Sequence, residues 1–356
     1  MDMKSDRKRM YVLTALILAV TLLLLAAFTK DDGESDSADV PANTPAPYAD
    51  ESAPESLQPT EEPGETMNTT VYYQDNYGYL VPVTRTIRAE KGVARATVNL
   101  MVKSVYNDME AARLGLRTVI PENTTFDLDI SGGTARIDLS EEALSCADEQ
   151  AEKTMISAVV QTLTTFPTVE KVRFLFDGQE RKAMKHGTDV SGDFTRATIN
   201  PETEIPGGSS AVTLYFTGDS PSMIVPVTRA VFGKADISTA VLELAKGPSV
   251  ESPLEPVLPT GCGLIGVELT NGVARINFSD EFIRIAENTD GGRLAMRALA
   301  LTCSQFDGVK KVEILVDGEP YDPGEGTLAM PTFINSASDI ADAFIVKQSG
   351  ELFDFE

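Results

Sequence analysis

Apolar and polar positions divide the chain into three zones. Residues 11–28, YVLTALILAVTLLLLAAF, contain no charged side chain, and residues 29–68 contain few large apolar ones. From residue 69 onward the two kinds of residue alternate in short segments. At 1.5 Å per residue the apolar run is about 27 Å long, close to the thickness of a bilayer core. The pattern predicts a membrane span, a linker and a folded part.

Positive charge precedes the predicted span. Residues 1–10, MDMKSDRKRM, carry Lys4, Arg7, Lys8 and Arg9, a bias that keeps an N-terminus in the cytoplasm. The apolar run is long for a signal peptide, and no small-x-small cleavage site follows it. We therefore predict an uncleaved signal anchor in the cell membrane, with all later residues extracytoplasmic. The alternative is a cleaved peptide and a secreted product.

The linker is acidic and rich in proline and serine. Residues 29–68 cannot bury enough apolar surface to offset the entropy lost on ordering, so they predict a disordered stalk. Like charges and prolines keep such a segment extended.

The folded part contains the same series of segments twice. The matching pairs are LVPVTR (80–85) with IVPVTR (224–229), GTARIDLS (133–140) with GVARINFS (272–279), and TLTTFPTVEKVRFLFDG (162–178) with LTCSQFDGVKKVEILVDG (301–318). The pairs keep their order at a nearly constant offset, which indicates a tandem duplication. We assign residues 69–205 to domain 1, residues 206–336 to domain 2 and residues 337–356 to a C-terminal tail.

Within each copy the periodicity predicts the order β-β-α-β-β-α-β. A helical stripe in each copy precedes the second hairpin: Val93, Ala96, Leu100 and Met101 in domain 1, and Ile237, Val241, Leu242 and Ala245 in domain 2. Gly247-Pro248 ends the second of these helices, and Asn271-Gly272 predicts a type I′ hairpin turn. We predict an α+β fold in which each copy is a small sandwich of two helices on a mostly antiparallel sheet.

The proline in the middle of each VPVT strand restricts where that strand can lie. Pro82 and Pro226 cannot donate a ladder hydrogen bond, so both belong on an edge or with the missing N–H facing outward. Arg85 and Arg229 end the same segments. They predict either a contact to a neighbouring subunit or acidic partner, or a local salt bridge, and the local pair is the commoner case.

The composition does not favour binding to nucleic acid or to anionic lipid through the electrostatic field of the whole protein. The formal net charge is −24, with three cysteines and a single histidine. Cys262 and Cys303 lie in the same half, and we expect no bridge between them. Asp127, Asp129 and Asp138 alternate with apolar residues, which predicts a solvated sheet face rather than a cation site.

The sequence contains no recognisable set of catalytic residues. His186 has no counterpart in the second copy and is expected in a surface loop. The chain contains no H-x-x-x-H, paired cysteine or GxSxG motif. Asp177-Gly178 and Asp317-Gly318 predict turns rather than metal ligands. We expect no enzyme activity, no cofactor and no metal.

The ordered series resembles the GerMN domain of GerM-like proteins. The resemblance rests on the two VPVTR segments, LELAKGP, GLRTVIPENT with LEPVLPTGC, the two ARI(D/N) hairpins and the two strands ending in Asp-Gly, over residues 70–335. Two departures stand out. Phe28 occupies the position of a lipidated cysteine, and MVKSVYN in domain 1 replaces the LAKGPSV of domain 2.

The resemblance implies a function in sporulation and spore germination. GerM-like proteins hold two such domains outside the membrane, so the family implies a structural adaptor that assembles with proteins of the mother-cell and forespore envelope or with itself. An alternative left open is an extracytoplasmic module that binds a cell-wall polymer or a small ligand. An enzyme such as a wall hydrolase is a third, less favoured hypothesis.

Overall fold

The computed structural model describes most of the region assigned to the two copies. The described residues are 65–89, 92–196, 198–218, 223–287, 289–321, 328–329 and 334–336. The predicted N-terminus (1–10), membrane span (11–28) and tail (337–356) lie outside them. Among the described residues, no helix has the length and apolar character needed to cross a membrane. The described residues all belong to one compact unit, within residues 61–356.

Domain 1 consists of a hairpin, a four-stranded sheet and three α-helices. Its elements are β1 (Thr66–Gln74), β2 (Leu80–Arg88), α1 (Val93–Asn99), α2 (Val105–Ala112), β3 (Phe126–Ser131), β4 (Thr134–Leu139), a 3₁₀ helix (Glu141–Ser145), α3 (Glu149–Leu163), β5 (Lys171–Phe176) and β6 (Asp193–Thr195). Among the described strands, β1 and β2 pair with each other alone, and the sheet has the order β3-β4-β5-β6. Strands β4 and β5 are parallel because helix α3 forms the crossover between them.

Domain 2 repeats this plan. Its elements are β7 (Ser210–Thr217), β8 (Ile224–Val231), α4 (Ile237–Ala245), β9 (Leu264–Thr270), β10 (Val273–Phe278), a 3₁₀ helix (Asp280–Glu287), α5 (Thr289–Ser304), β11 (Lys311–Val316), β12 (Glu319–Pro320) and β13 (Leu328–Ala329). Strands β7 and β8 form the hairpin. In the sheet β9-β10-β11 the last pair is parallel, and both β12 and β13 pair with β11.

The predicted α+β class and the order of the predicted elements are confirmed, with differences in the sheets, in the helices and in the additional strands β6, β12 and β13. The strands of each copy form two separate sheets instead of one. Domain 1 also carries the additional helix α2, in the segment where its sequence departs from that of domain 2. Strand β1 begins at Thr66, inside the range 29–68 assigned to the stalk.

Helix α3 lies between the two sheets of domain 1. It packs against β1 on one side and β5 on the other, and buried residues therefore surround nearly its whole circumference. The Asp148 side chain accepts a hydrogen bond from the Ala151 amide and begins the helix. Near the other end, the hydroxyl of Thr162 accepts the Tyr72 amide at 3.2 Å. The helix thus joins the hairpin to the sheet.

The predicted turns are confirmed, and one predicted helix face is wrong. Asn271 and Gly272 have φ values of 53° and 82°, as a type I′ turn requires, and Gly247 has a φ of 79° beyond helix α4. In helix α1, however, the buried residues are Ala94, Thr97 and Val98, about one position away from Val93 and Ala96 of the predicted stripe. Met101, which follows the helix, is fully buried as predicted. Leu242 of helix α4 is 46% exposed. The helices are short, so the packing of the hairpin above them decides which face is buried.

Candidate functional site

The repeated prolines lie where the two domains meet. Pro82 pairs with Tyr72 inside one hairpin, and Pro226 pairs with Tyr215 inside the other. The amides of Leu80 and Ile224, two positions before each proline, donate to side chains outside the hairpin. Backbone groups two positions apart in a strand point in the same direction, so the nitrogens of the prolines also face outward. The prediction that the prolines occupy strand edges is confirmed. Because the edges of β2 and β8 face each other, the prolines interrupt any continuous ladder between the domains.

Asn200 bridges the two strand edges from the end of domain 1. Its Oδ1 accepts the amide of Leu80 at 2.8 Å, and its Nδ2 donates to the carbonyl oxygens of Leu80 at 2.8 Å and Pro226 at 2.7 Å. One side chain therefore satisfies three backbone groups that belong to both domains.

Asn335 makes the same bridge from the end of domain 2. Its Oδ1 accepts the Ile224 amide at 2.8 Å, and its Nδ2 donates to the carbonyl oxygens of Ile224 and Pro82, each at 2.8 Å. The partners are those of Asn200 with the domains exchanged. Asn200 and Asn335 have φ values of 44° and 51°, a left-handed conformation that asparagine adopts more readily than most residues. The junction therefore has an approximate two-fold symmetry.

The threonine of each VPVT segment holds the residue before the bridging asparagine. The Thr84 amide donates to the Ile334 carbonyl at 3.0 Å, and the Ile334 amide donates to the Thr84 hydroxyl at 3.1 Å. In the other half, the Ile199 amide donates to the Thr228 hydroxyl at 3.0 Å. The repeated VPVT sequence is thus explained by the domain junction, in which every polar backbone group of the two edges must find a partner.

Sequence analysis did not identify the two asparagines. The signal was present as the short repeat Thr-Ile-Asn at 198–200 and Phe-Ile-Asn at 333–335. A match of two residues is too short to notice without knowing that both segments reach the same strand edges.

Arg85 forms one ion pair within domain 1. Its Nη2 lies 3.1 Å from Glu110 Oε2 of helix α2, and Glu110 also pairs with Arg113 at 2.5 Å. The side chain of Arg85 keeps 20% of its surface exposed. The pair ties the additional helix to the hairpin.

Arg229 lies in a denser network that includes Glu202, near the end of domain 1. Its Nε and Nη2 donate to the Glu202 carboxylate at 2.5 and 2.8 Å, and its Nη1 contacts Glu243 Oε2 at 3.2 Å. It also donates to the Gly247 carbonyl at 2.8 Å and lies over the ring of Phe216. Burial lowers the pKa of Arg229, but Glu202 and Glu243 outweigh this and leave it raised. The described contacts of both arginines are local, and a role in binding a partner stays a prediction.

His186 belongs to a loop that closes over helix α3. The amides of His186 and Thr188 donate to the Glu152 carboxylate at 2.7 and 3.2 Å, and His186 Nε2 lies 2.9 Å from the Cys146 carbonyl. Burial raises the pKa of Glu152, but the amide hydrogen bonds outweigh it and leave the pKa lowered. These contacts give His186 and Glu152 a structural role.

The three thiols are free and buried in the structure. Burial raises the pKa of Cys146 and Cys262 to about 11 and that of Cys303 to about 12. Within the described part of the chain, no group of three or more histidine, cysteine or acidic side chains could hold a metal ion.

The predicted acidic sheet face lines a shallow recess. Asp127, Asp129 and Asp138 border a space of about 350 Å³ together with Arg136 and Leu175. Asp138 Oδ1 accepts the amide of the turn that follows β5 at 2.9 Å. This turn is the predicted Asp-Gly turn, so at least one carboxylate of the face has a structural use.

Helix α2 presents apolar side chains to solvent. Val105, Tyr106 and Met109 are 81%, 68% and 55% exposed. Tyrosine and methionine are enriched where proteins contact one another. The surface of domain 1 is therefore compatible with protein binding.

Two compact repeats joined at their hairpin edges define a tandem-domain protein. Its described residues contain no recognisable catalytic cluster. The chain belongs to the Germane family, whose description is "Sporulation and spore germination", and the match covers residues 70–182 and 213–322. Each matched range lies within one of the two domains.

Similarity to individual proteins extends over both domains. The chain is 28% identical over 298 residues to the spore germination protein GerM of Bacillus subtilis (strain 168), covering 80% of this chain and 81% of that protein. It is similar to the solved tandem GerMN domains of the sporulation protein GerM from Bacillus subtilis, with a TM-score of 0.65 and 26% identity. That alignment covers 76% of this chain and 99% of the solved one. The resemblance to GerM-like proteins with two GerMN domains is confirmed.

Proposed function

We propose that the protein is a membrane-anchored extracytoplasmic adaptor that acts in sporulation and spore germination. In this proposal it has no catalytic activity and works by binding proteins of the envelope between mother cell and forespore. The observation that carries the proposal is the match over both domains to the tandem domains of a sporulation protein. Membership of a family described by sporulation and germination supports the same role.

The geometry supports assembly rather than chemistry. The polar arrangement that joins the two domains contains Asn200 and Asn335, whose side chains bond to backbone groups of the protein itself. Such an arrangement holds two domains together and offers no free nucleophile or base. The exposed apolar residues of helix α2 supply a surface of the composition that protein partners use.

Localisation tests the proposal. The full chain, fused at its C-terminus to a fluorescent protein that folds outside the cytoplasm, is followed in the native host through starvation. We expect enrichment at the septal and engulfing membranes. The control fuses residues 1–68 to the same fluorophore, because the anchor and stalk alone should remain distributed around the whole cell.

The opposite pattern would favour the cell-wall module. An even envelope signal that starvation leaves unchanged contradicts the sporulation adaptor. Identical patterns for the full chain and the control would show that the folded domains do not direct the protein, and would contradict assembly through them.

A further inference from the structure

Strand β9 is an edge strand with exposed apolar side chains. Among the described strands it pairs with β10 alone, and Ile265 and Leu269 are 55% and 44% exposed. A strand at the edge of a sheet offers unpaired N–H and C=O groups to any strand that can approach it. Within the described part of domain 2, strand β9 is therefore an open edge.

The corresponding edge of domain 1 is closed by charge. Arg95 Nη1 donates to the carbonyl of Phe126 in strand β3 at 2.9 Å, and its guanidinium lies 5.5 Å from the centre of that ring. Its Nη2 also contacts Asp127 at 2.5 Å. Asp129 adds a second carboxylate to the strand. In domain 2, the buried faces of the two helices align Arg95 with Ser238, which cannot form these contacts.

The turn after β9 fixes which of its backbone groups point outward. Thr270 and Val273 close the two-residue turn, and in such hairpins the closing residues exchange hydrogen bonds. Bonding directions alternate along a strand, so Glu268 also bonds toward β10, whereas the backbone groups of Val267 and Leu269 point away from the sheet.

We propose that strand β9 pairs antiparallel with strand β9 of a second copy, with Val267 on the two-fold axis. This register places Leu269 opposite Ile265 of the other copy, so the two exposed apolar residues meet. It places Glu268 opposite Gly266, so no like charges face each other. An axis through Glu268 would instead oppose two glutamates, which is destabilising.

The same register applied to strand β3 explains why that edge stays unpaired. An axis through Leu128 would place Asp127 opposite Asp129 twice, and Arg95 already occupies the Phe126 carbonyl. Because strand β9 of each chain is occupied by strand β9 of the other, this pairing ends at a closed two-fold dimer and does not continue into a filament.

The dimer contact is short. A β-bulge at Ile265 interrupts the ladder with β10, so the regular pairing across the axis is limited to Gly266, Val267 and Glu268, and the contacts between Leu269 and Ile265 lie at its two ends. So short an edge buries less area than a permanent interface, and we expect a weak, concentration-dependent dimer. The inference rests on the assembly role proposed above and names its partner. Its test uses purified protein, so its failure is distinguishable from a failure of the localisation experiment.

Charge at residue 266 tests the contact without disturbing the fold. A side chain added at Gly266 would meet no atom within 4 Å, and the residue does not have a positive φ. Sedimentation velocity of the full chain in detergent, over a dilution series, compares the wild type with G266K and G266E. Facing Glu268 of the other copy, lysine should tighten the dimer and glutamate weaken it, each roughly 3- to 10-fold.

Asp129→Asn is the matched control. It changes the charge by the same single unit as G266K, on the closed edge of domain 1, and should leave the dimer constant within about twofold. A wild type that stays monomeric throughout the series overturns the proposal. Equal association of G266K and G266E also overturns it, provided that both variants melt like the wild type.

Disulfide trapping tests the register. In the double variant G266C/E268C each new thiol faces the other across the two-fold axis, at a non-hydrogen-bonded position where Cα atoms are about 4.5 Å apart. A mild oxidant should convert the full chain to a covalent dimer. Each single variant places its two thiols about 8 Å apart and should not form a covalent dimer. Equal dimer yields from single and double variants would contradict the register.

Discussion

Asn335, near the end of the second domain, donates its side-chain amide to the carbonyl of Pro82 in the first domain, 253 positions earlier in the chain. The same amide reaches Ile224, so one side chain completes two strand edges. The junction of the domains therefore depends on a residue that lies beyond the last repeated segment visible in the sequence.

Replacing Asn335 by alanine should destabilise the protein by about 2–4 kcal/mol. The substitution leaves buried backbone groups of Pro82 and Ile224 without partners, and alanine is strained at a φ of 51°. Denaturant unfolding followed by circular dichroism measures the loss. N335G separates the two causes, since glycine tolerates this φ. If N335G is as stable as the wild type, the hydrogen bonds contribute nothing.

Replacing Pro82 by alanine should cost about 1–3 kcal/mol, although alanine can form a strand. The new N–H would point into the buried space between β2 and β8, where the Oδ1 atom of Asn335 already accepts the Ile224 amide. Urea unfolding of the variant gives the cost. Pro206→Ala, at an exposed proline, serves as the control and should change stability by less than about 0.5 kcal/mol. Equal effects at both sites would contradict the edge-blocking role.

The two repeated arginines should differ in their contribution to stability. Arg229→Ala leaves Glu202 and Glu243 with 8% and 16% exposed side chains and no guanidinium, and should cost about 2–4 kcal/mol. Arg85→Ala removes a single, more exposed pair and should cost at most about 1 kcal/mol. Thermal unfolding of both variants measures the difference.

A lysine substitution tests the geometry of the network around Arg229. R229K keeps the charge but cannot form the fork of hydrogen bonds to Glu202, so it should recover little of the lost stability. Full recovery by lysine would mean that charge alone matters at this position.

The loss of stability at acidic pH should depend on Glu152. Its folded-state pKa lies below the ordinary 4.5, so the ionised carboxylate stabilises the native state above pH 4.5. That contribution is lost as the pH falls through the folded-state value. E152Q should be less stable than the wild type at pH 7 and should lose less stability on acidification. E149Q, in the same helix at an exposed pair with Lys153, should retain the wild-type slope.

The three cysteines should resist labelling in the native state. Burial and raised pKa values leave almost no accessible thiolate at pH 8, and Cys303 is fully buried. A thiol reagent should label none of them before unfolding and all three in denaturant. Rapid labelling of one cysteine in the native protein would show that its segment opens.

Local patterns in the sequence predicted most of the elements because the physics that forms them is local. The Asn271-Gly272 turn, the end of helix α4 at Gly247 and the alternation along β4 depend on residues next to one another. The duplication could be recognised because the same local solutions recur in the same order. The edge position of Pro82 followed from the chemistry of its missing N–H.

The tertiary structure decided where those elements meet. Nothing local marks Asn200 and Asn335 as a pair, because their partners lie 120 and 253 positions away. The buried face of helix α1 lies about one position away from Val93 and Ala96 of the predicted stripe, because its contacts with the hairpin and with helix α3, rather than helical periodicity, set it. Short-range forces determine turns, strands and caps, whereas burial requires partners for backbone groups on distant edges, and that requirement appears only when the chain has folded.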